Sequence, residues 1–449
     1  MSSAIEQLAS GVSFASFSKA EDLKKRILFT LGALIVFRLG TYITIPGINP
    51  LIIEEFTRSH SGGILGILNM FSGGAIGRMT IFSLNIMPYI SAGIIVQLMT
   101  TISPHLEALK KEGESGRKKL NQYTRYGTVL LAIIQGYGIA MGLEKMSGYS
   151  GPAVIDPGFF FRLSTVVTLT GGTMFVVWLG EQITSRGIGN GTSLIIFAGI
   201  VANLPQALIQ TLQLGQQGSL STLIILGILV MVAVVIGYVV FMEKAQRRIP
   251  IQYPKRQMSA NMPATSQSTH LPLKINSAGV IPPIFASSIL LLPTTVIGFA
   301  GSADTSTIWG KIASVMAHGQ PVYMICFTFM IIFFAFFYTA IMFNPTETAE
   351  NLRKSGSYIP GIRPGTQTAE YIDFVMTRLT CIGALYLASI CILPEIILAH
   401  VSLPFYFGGT SILIVVTTTI DTIGQVQSHL VAHQYEGLIK KARSRGTLS

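Results

Sequence analysis

Charge is what this sequence has least of. Only 11% of its 449 residues are Asp, Glu, Lys or Arg, while 50% are hydrophobic and the mean hydropathy is +0.57. A soluble domain carries about 25% charged residues, so a soluble globular fold is excluded and a polytopic membrane protein is indicated. Cysteine is nearly as scarce: Cys326, Cys381 and Cys391 lie in apolar stretches without metal-ligand spacing, which excludes a disulfide framework and reads as small buried hydrophobes. No GxxxxGK[ST] loop, HExxH helix or GxSxG elbow occurs, so the chain is expected to hydrolyse nothing and to hold no cofactor. The glycines of 186–191 lack dinucleotide spacing and read as a tight turn between spans. His429, His433 and Glu436 share a helical face but read as a solvated helix end.

Carboxylates are missing where an ion-coupled transporter needs them. Arg38 is the one ionisable group deep in a predicted span; Arg125, Arg162, Arg378, Glu395 and Asp421 fall near span ends, within reach of the interface.

What the sequence does have is long apolar runs. About 20 apolar residues cross about 30 Å of hydrocarbon, and ten stretches qualify: 27–45, 81–102, 123–143, 161–179, 192–212, 220–242, 276–300, 321–343, 374–398 and 404–423. The first follows Lys24, Lys25 and Arg26 but runs into Ile45-Pro46-Gly47 without a small-residue cleavage pattern, and reads as a retained span. With the amino terminus cytoplasmic, roughly 25 of the 31 Lys and Arg fall on the cytoplasmic side, which sets both termini inside.

Residues 69–97, NMFSGGAIGRMTIFSLNIMPYISAGIIVQ, place a Gly-broken stretch too short to cross a bilayer directly before a span carrying Asn85, Pro88, Ser91 and Gln97. Such an element survives at membrane depth only where it is buried or lines water, so the chain is expected to enclose an aqueous path. Two basic loops stand out. One, 243–274, carries Lys244, Arg247, Arg248, Lys255, Arg256 and Lys274 against one carboxylate; the other holds Arg353, Lys354 and the turn-rich run 358–365 with Arg363. From charge alone they are either topology determinants on anionic headgroups or a docking platform for an acidic or phosphate-rich partner. The mixed-sign run 110–119 reads as a solvated turn.

The run NIMPYISAGIIVQ at 85–97 resembles the second-span signature of the SecY family, the central subunits of protein-conducting channels, and WLGEQITSRGIGNG at 178–191 is similar to its second signature. SQSTHLPLK at 266–274, FNP at 343–345, PGIRPG at 360–365 and PFYFGGTS at 404–411 extend the resemblance over almost the whole chain in order. It implies an all-α bundle of ten transmembrane helices in two inverted five-helix halves around a central pore, with a short plug helix. The halves would be 27–215 and 216–428, after a cytoplasmic segment 1–26 and before a cytoplasmic tail 429–449, with cytoplasmic loops near 243–275 and 344–373.

The resemblance further implies a plug at about 63–78, where Gly73, Gly74, Gly77 and Arg78 fall, and a pore ring of Ile86, Ile90, Thr192, Ile196, Ile284 and Ile414. Two ring pairs, Ile86 with Ile90 and Thr192 with Ile196, have the i, i+4 spacing of one helix face. Thr192 departs from the aliphatic residue often found at its position. Spans two and seven would form a lateral gate with Gln97 and Asn276 as its polar residues, and Arg247, Arg248, Lys255, Arg256 and Arg363 would dock partners. The partners implied are SecE and SecG, the motor ATPase SecA, the ribosome, signal peptides, nascent polypeptides and membrane lipids, at the bacterial cytoplasmic membrane. The function implied is translocation of unfolded chains and lateral release of membrane helices. The alternatives are a secondary transporter for a small solute and a scaffold or insertase without a through-pore.

Overall fold

A computed structural model of the chain describes residues 21–53, 69, 72–145, 147–148, 151–217, 222–252, 269–299, 320–400 and 408–446. Twelve helices are distinguished among them: α1 (Glu21–Gly40), α2 (Met87–Ile102), α3 (Pro104–Lys111), α4 (Glu114–Lys145), α5 (Phe159–Arg186), α6 (Gly191–Gln216), α7 (Thr222–Lys244), α8 (Ile281–Phe299), α9 (Pro321–Met342), α10 (Pro345–Lys354), α11 (Thr366–His400) and α12 (Gly409–Gly446). All but the short α3 and α10 coincide with the ten expected spans. Seven are long and apolar enough to cross a membrane, and α2 and α8 supply shorter apolar helices. Two antiparallel hairpins complete the described fold: β1 (Ser147–Gly148) with β2 (Gly151–Pro152), and β3 (Gln246–Ile251) with β4 (Thr269–Lys274).

The apolar surface faces outward. On α7, Leu223, Leu226, Val234 and Phe241 are all exposed, the reverse of a soluble core helix and the natural state of a surface whose solvent is lipid. Inside, the packing divides. One cluster gathers Val235, Val239, Phe285, Phe327, Phe334, Leu387, Ile390 and Leu413 from α7, α8, α9, α11 and α12. Others gather α1, α5 and α6 around Phe37, Val176, Ile183, Ile195 and Ile200, and α4 and α5 around Ala140, Leu143 and Leu169. The seams are α2 against α8 and α6 against α12.

The α4–α5 pair carries an ion pair near each end. Arg125 donates to both carboxylate oxygens of Glu181 at 3.0 and 2.6 Å, and Arg162 donates twice to Glu144 at 2.9 and 2.6 Å. These are the span-end charges expected at the interface.

Several boundaries differ from the sequence reading. The second span begins as a helix at Met87, not at 81, because Met79 (φ 43°) and Asn85 (φ 48°) turn the chain through left-handed conformations before Pro88 opens the helix. Its 16 residues reach only about 24 Å. The seventh expected span likewise starts late as a helix, α8 at Ile281, with Pro282 and Pro283 in its first turn. The run 110–119 is not a single solvated turn: α3 ends in it, the chain reverses at Gly113 (φ 76°), and α4 has already begun at Glu114. In the 243–274 connection, the described flanks pair as β3–β4. The plug segment 63–78 is described only at 69 and 72–78, where 72–78 runs as consecutive turns. Lys255 and Arg256 lie outside the described residues.

Candidate functional site

The turn at 187–190 fixes the start of α6. Asn190 caps that helix, accepting from the amides of Thr192 and Ser193, and Thr184 Oγ1 accepts from Gly191 N at 2.8 Å. Thr30 Oγ1 accepts from Ile188 N at 3.1 Å and Gln425 Oε1 from Gly189 N at 2.8 Å, so α1, α5, α6 and α12 meet at one junction. A Cβ at Gly191 would run into the Gly180 carbonyl. The glycines thus serve a close helix approach, as the turn reading expected, and they orient the first turn of α6 and with it Thr192.

From there one face of α6 carries Thr192, Ile196, Gly199 and Asn203, the i, i+4, i+7, i+11 stripe of a helix. Thr192 and Ile196 open on a cavity of about 680 Å³. Tyr89, Ile90, Gly93, Val96 and Gln97 of α2, and Val280, Ile281, Ile284 and Phe285 at the start of α8, form its walls. Lys110, Arg117, Asn121 and Thr124 stand at its polar side. Its lining grades from amides and two cations to isoleucine, and among the described residues no carboxylate lines it. Such a lining is mostly an apolar wall with few fixed hydrogen-bonding partners.

At the apolar end, Ile86, Ile196 and Ile414 are buried in one cluster with Ile90 and Ile284 packed against it. Five of the six residues matched to a pore ring therefore come together from α2, α6, α8 and α12, and the sixth, Thr192, lies in the cavity wall above them. Thr192 spends its position on the helix start, where its amide donates to Asn190.

Past Ile196 on the same face of α6 sits the glycine segment. Gly73 (φ 68°) lies so close that an added Cβ would meet Gly199 Cα at 3.0 Å, and one at Gly74 (φ 87°) would meet Asn203 Oδ1 at 3.6 Å. The segment folds on itself: Gly77 N donates to Asn69 Oδ1 at 2.6 Å, Ile76 N to Ser72 Oγ at 3.2 Å, and Ser83 Oγ to Thr80 O at 2.6 Å. Phe82 then wedges between Phe37 and Phe175, with ring centroids 6.0 and 5.8 Å away. Arg38, without an assigned partner from sequence, donates to the Gly73 carbonyl at 2.6 Å and to the Tyr42 hydroxyl at 3.2 Å. Arg78 lies over the Tyr42 ring at 4.3 Å.

The two residues matched to the lateral gate are not brought together. Gln97 lines the cavity, whereas Asn276 is buried at the root of the β3–β4 hairpin, donating to Glu243 Oε1 at 2.7 Å and to Gly279 O at 3.1 Å. The Tyr386 hydroxyl reaches the same Glu243 oxygen at 3.4 Å. Sequence reading missed Glu243 because it stands at a helix end beside Lys244, where a solvated role is the ordinary one.

The basic loops form one body. Gln252 and Tyr358 exchange backbone hydrogen bonds of 2.9 and 3.0 Å, and Ile249, Leu273, Ile359, Ile372, Val375 and Met376 pack beneath them. Arg247, Arg248 and Arg363 stand exposed on that body.

Comparison with known proteins agrees with this arrangement. The SecY family model matches residues 80–423. Protein translocase subunit SecY of Escherichia coli K12 is 54% identical over 425 residues, 95% of this chain and 96% of that protein. The subunit of the same name from Rickettsia typhi is 52% identical over 430 residues, covering 95% and 99%. In fold, the chain is similar to a solved protein-conducting channel, with a TM-score of 0.61 at 17% identity over 90% of this chain and 92% of that one. It is also similar to Sec61 in the canine ribosome–channel complex from the endoplasmic reticulum, with a TM-score of 0.59 at 16% identity and the same coverage. With a family model spanning 80–423 and relatives more than half identical over 95% of its length, the chain belongs to the SecY family.

Proposed function

We propose that this chain is the channel subunit of a protein translocase, passing unfolded polypeptides across the cytoplasmic membrane and releasing apolar helices sideways into lipid. The observation that carries the reading is the order along one face of α6: cavity at Thr192, isoleucine cluster at Ile196, glycine segment at Gly199 and Asn203, all within roughly 16 Å. A largely apolar funnel with Gln97, Lys110, Arg117 and Asn121 in its lining receives the chain. A ring of Ile86, Ile90, Ile196, Ile284 and Ile414 with Thr192 at its rim resists water and ions by dewetting, yet yields to a polypeptide because no side chain in it is held by directional bonds. The segment through Gly73, Gly74, Gly77 and Arg78 stops the far side.

The gate is the α2–α8 seam. In this reading Gln97 is its polar member, and Asn276 acts one step away, tying the end of α7 at Glu243 to the turn that leads into α8. Arg247, Arg248 and Arg363, with Lys255 and Arg256 beyond them, receive SecA or the ribosome, and the ribosome-bound state of the similar Sec61 chain supports the second of these. Phosphate-rich RNA would be held there with strong salt dependence. SecE and SecG clamp the two halves, 27–215 and 216–428, with both termini cytoplasmic. The chain is not an enzyme here, and its partners supply the energy.

Site-specific crosslinking tests the reading. Photoreactive residues at Ile86, Ile90, Ile196, Ile284 and Ile414 are expected to capture a stalled secretory polypeptide, and one on the lipid face of α7 at Leu226 is not. Saturable uptake of a small solute without such crosslinks would favour a transporter instead.

A further inference from the structure

We propose that Arg38 is the catch that holds the stopper seated in the idle channel. The inference rests on the reading of 72–78 as part of that stopper, and adds to it the residue that sets how firmly it sits.

Arg38 lies two residues before the end of α1, on a helix that packs against α5 and α6. Its guanidinium makes a short 2.6 Å hydrogen bond to the backbone carbonyl of Gly73 and a second, 3.2 Å, to Tyr42. Arg38 is half-buried in the last turn of α1, where unsatisfied donors are costly, and a backbone carbonyl on a detachable segment is an unusual partner for a cation. No carboxylate serves Arg38 in the described contacts. A fixed Arg–Asp pair would be a permanent bond, whereas a neutral carbonyl can be surrendered and replaced by water when the segment leaves.

Helix α6 crowds Gly73 on the same side as the guanidinium. The positive φ of Gly73 turns its Cβ direction toward α6, where an added Cβ would stand 3.0 Å from Gly199 Cα and 3.4 Å from the Gly199 carbonyl oxygen. Arg38 also reaches that point, 3.3 Å from where a Gly73 Cβ would be. The contact is therefore specific to a glycine at 73 in this conformation. Arg78, with its guanidinium carbon 4.3 Å from the Tyr42 ring centroid, ties the end of the same segment to the same tyrosine. Arg38 and Tyr42 thus form a small fixed post on α1 and the turn after it, to which both ends of 73–78 attach.

The test is ion conductance of the assembled channel complex in planar bilayers, idle and with a stalled secretory chain in the pore. A hydrogen bond to a charged donor supports a change of roughly 10- to 100-fold in the seated-to-unseated ratio. Arg38→Gln is expected to raise idle conductance by that factor. Tyr42→Phe, which keeps the ring and the Arg38–Gly73 bond but loses the hydroxyl that Arg38 and Arg78 both approach, should raise it by less than Arg38→Gln does. Gly73→Ala attacks the same contact from the other partner and is expected to match Arg38→Gln, so the proposal stays testable if one variant fails to assemble. With a stalled chain in place, variant and wild type should conduct alike, a result that general misfolding would not give.

Deleting 72–78 separates this proposal from the reading beneath it. If the deletion leaks and Arg38→Gln does not, the catch is wrong and the stopper stands. If the deletion itself does not leak, both fall. If Arg38→Gln adds further leakage to the deletion, or leaks equally through a filled pore, Arg38 acts on something other than the stopper and the proposal is overturned.

Discussion

Replacing Asn276 by Ala is expected to loosen the root of the basic hairpin. Asn276 is only 5% exposed, and its amide donates to Glu243 Oε1 at 2.7 Å while the Tyr386 hydroxyl stands at 3.4 Å from the same oxygen. The two residues are the feet of the hairpin: Glu243 is one residue from the end of α7, and Asn276 follows β4 by two. A hydrogen bond to a carboxylate contributes about 1.5–3 kcal/mol, and the longer Tyr386 contact does not replace it, so the root should weaken by about 2 kcal/mol. Local opening is read by native-state hydrogen exchange of the Ile249 and Ile251 amides, which should quicken roughly 30-fold at about 1.4 kcal/mol per decade. Glu243→Gln removes the same charge-assisted bond from the other side. The double variant should therefore fall short of the sum of the singles by more than about 0.5 kcal/mol, the margin that separates coupled from independent sites. Additive effects within that margin, or unchanged exchange in Asn276→Ala, would refute the assignment of the root to this pair.

Replacing Ile86 and Ile284 together by Ser should raise resting ion leakage of the channel in vesicles, and unchanged leakage would mean that the constriction lies elsewhere. Arg248→Glu and Arg363→Glu should impair partner-driven export more than membrane insertion of the chain itself; SecA and ribosome binding at the wild-type level would remove the docking role. Gly191→Ala drives a methyl into the Gly180 carbonyl and should cost about 1–3 kcal/mol as overpacking does. A thermal midpoint in detergent equal to that of the wild type would contradict the close α5–α6 approach.

The helices that fall on the ten expected spans were legible because hydropathy reports directly on the solvent a helix faces, and α7 or α9, two of the seven described helices long and apolar enough to cross a membrane, needs no long-range information to be recognised. Helix starts were less so. The onset of α2 at Met87 depends on two non-glycine residues, Met79 and Asn85, held at positive φ by surrounding contacts that no local pattern encodes. The β3–β4 hairpin was hidden by its own charge: Arg247 and Arg248 dominate a segment in which only Ile249 and Ile251 turn inward. Helix α3 carried a readable signal in Pro104 at its first turn and the Glu107–Lys111 pair at i, i+4, which bond at 2.7 Å. The apolar ring could be placed only by resemblance, because an isoleucine on a pore and one against lipid look the same in sequence. The partner of Arg38 was beyond local reading altogether, since it is a backbone carbonyl 35 residues away in a glycine turn.

The two ion pairs that join α4 to α5 have a consequence for the bilayer. Arg125 to Glu144 on one helix, and Arg162 to Glu181 on the other, are each about 19 residues or roughly 28 Å apart. That is close to the hydrocarbon thickness of a bilayer. Ion pairs at both rims resist sliding of the two antiparallel helices, only modestly because each pair is partly exposed, and act as a calliper across them. A membrane several ångströms thicker would draw charged rivets toward hydrocarbon or force the pair to tilt, at fractions of a kcal/mol for each ångström of mismatch. The spacing of the calliper matches one hydrocarbon thickness, so the seating of α4 and α5 is expected to respond to the thickness of the bilayer around them.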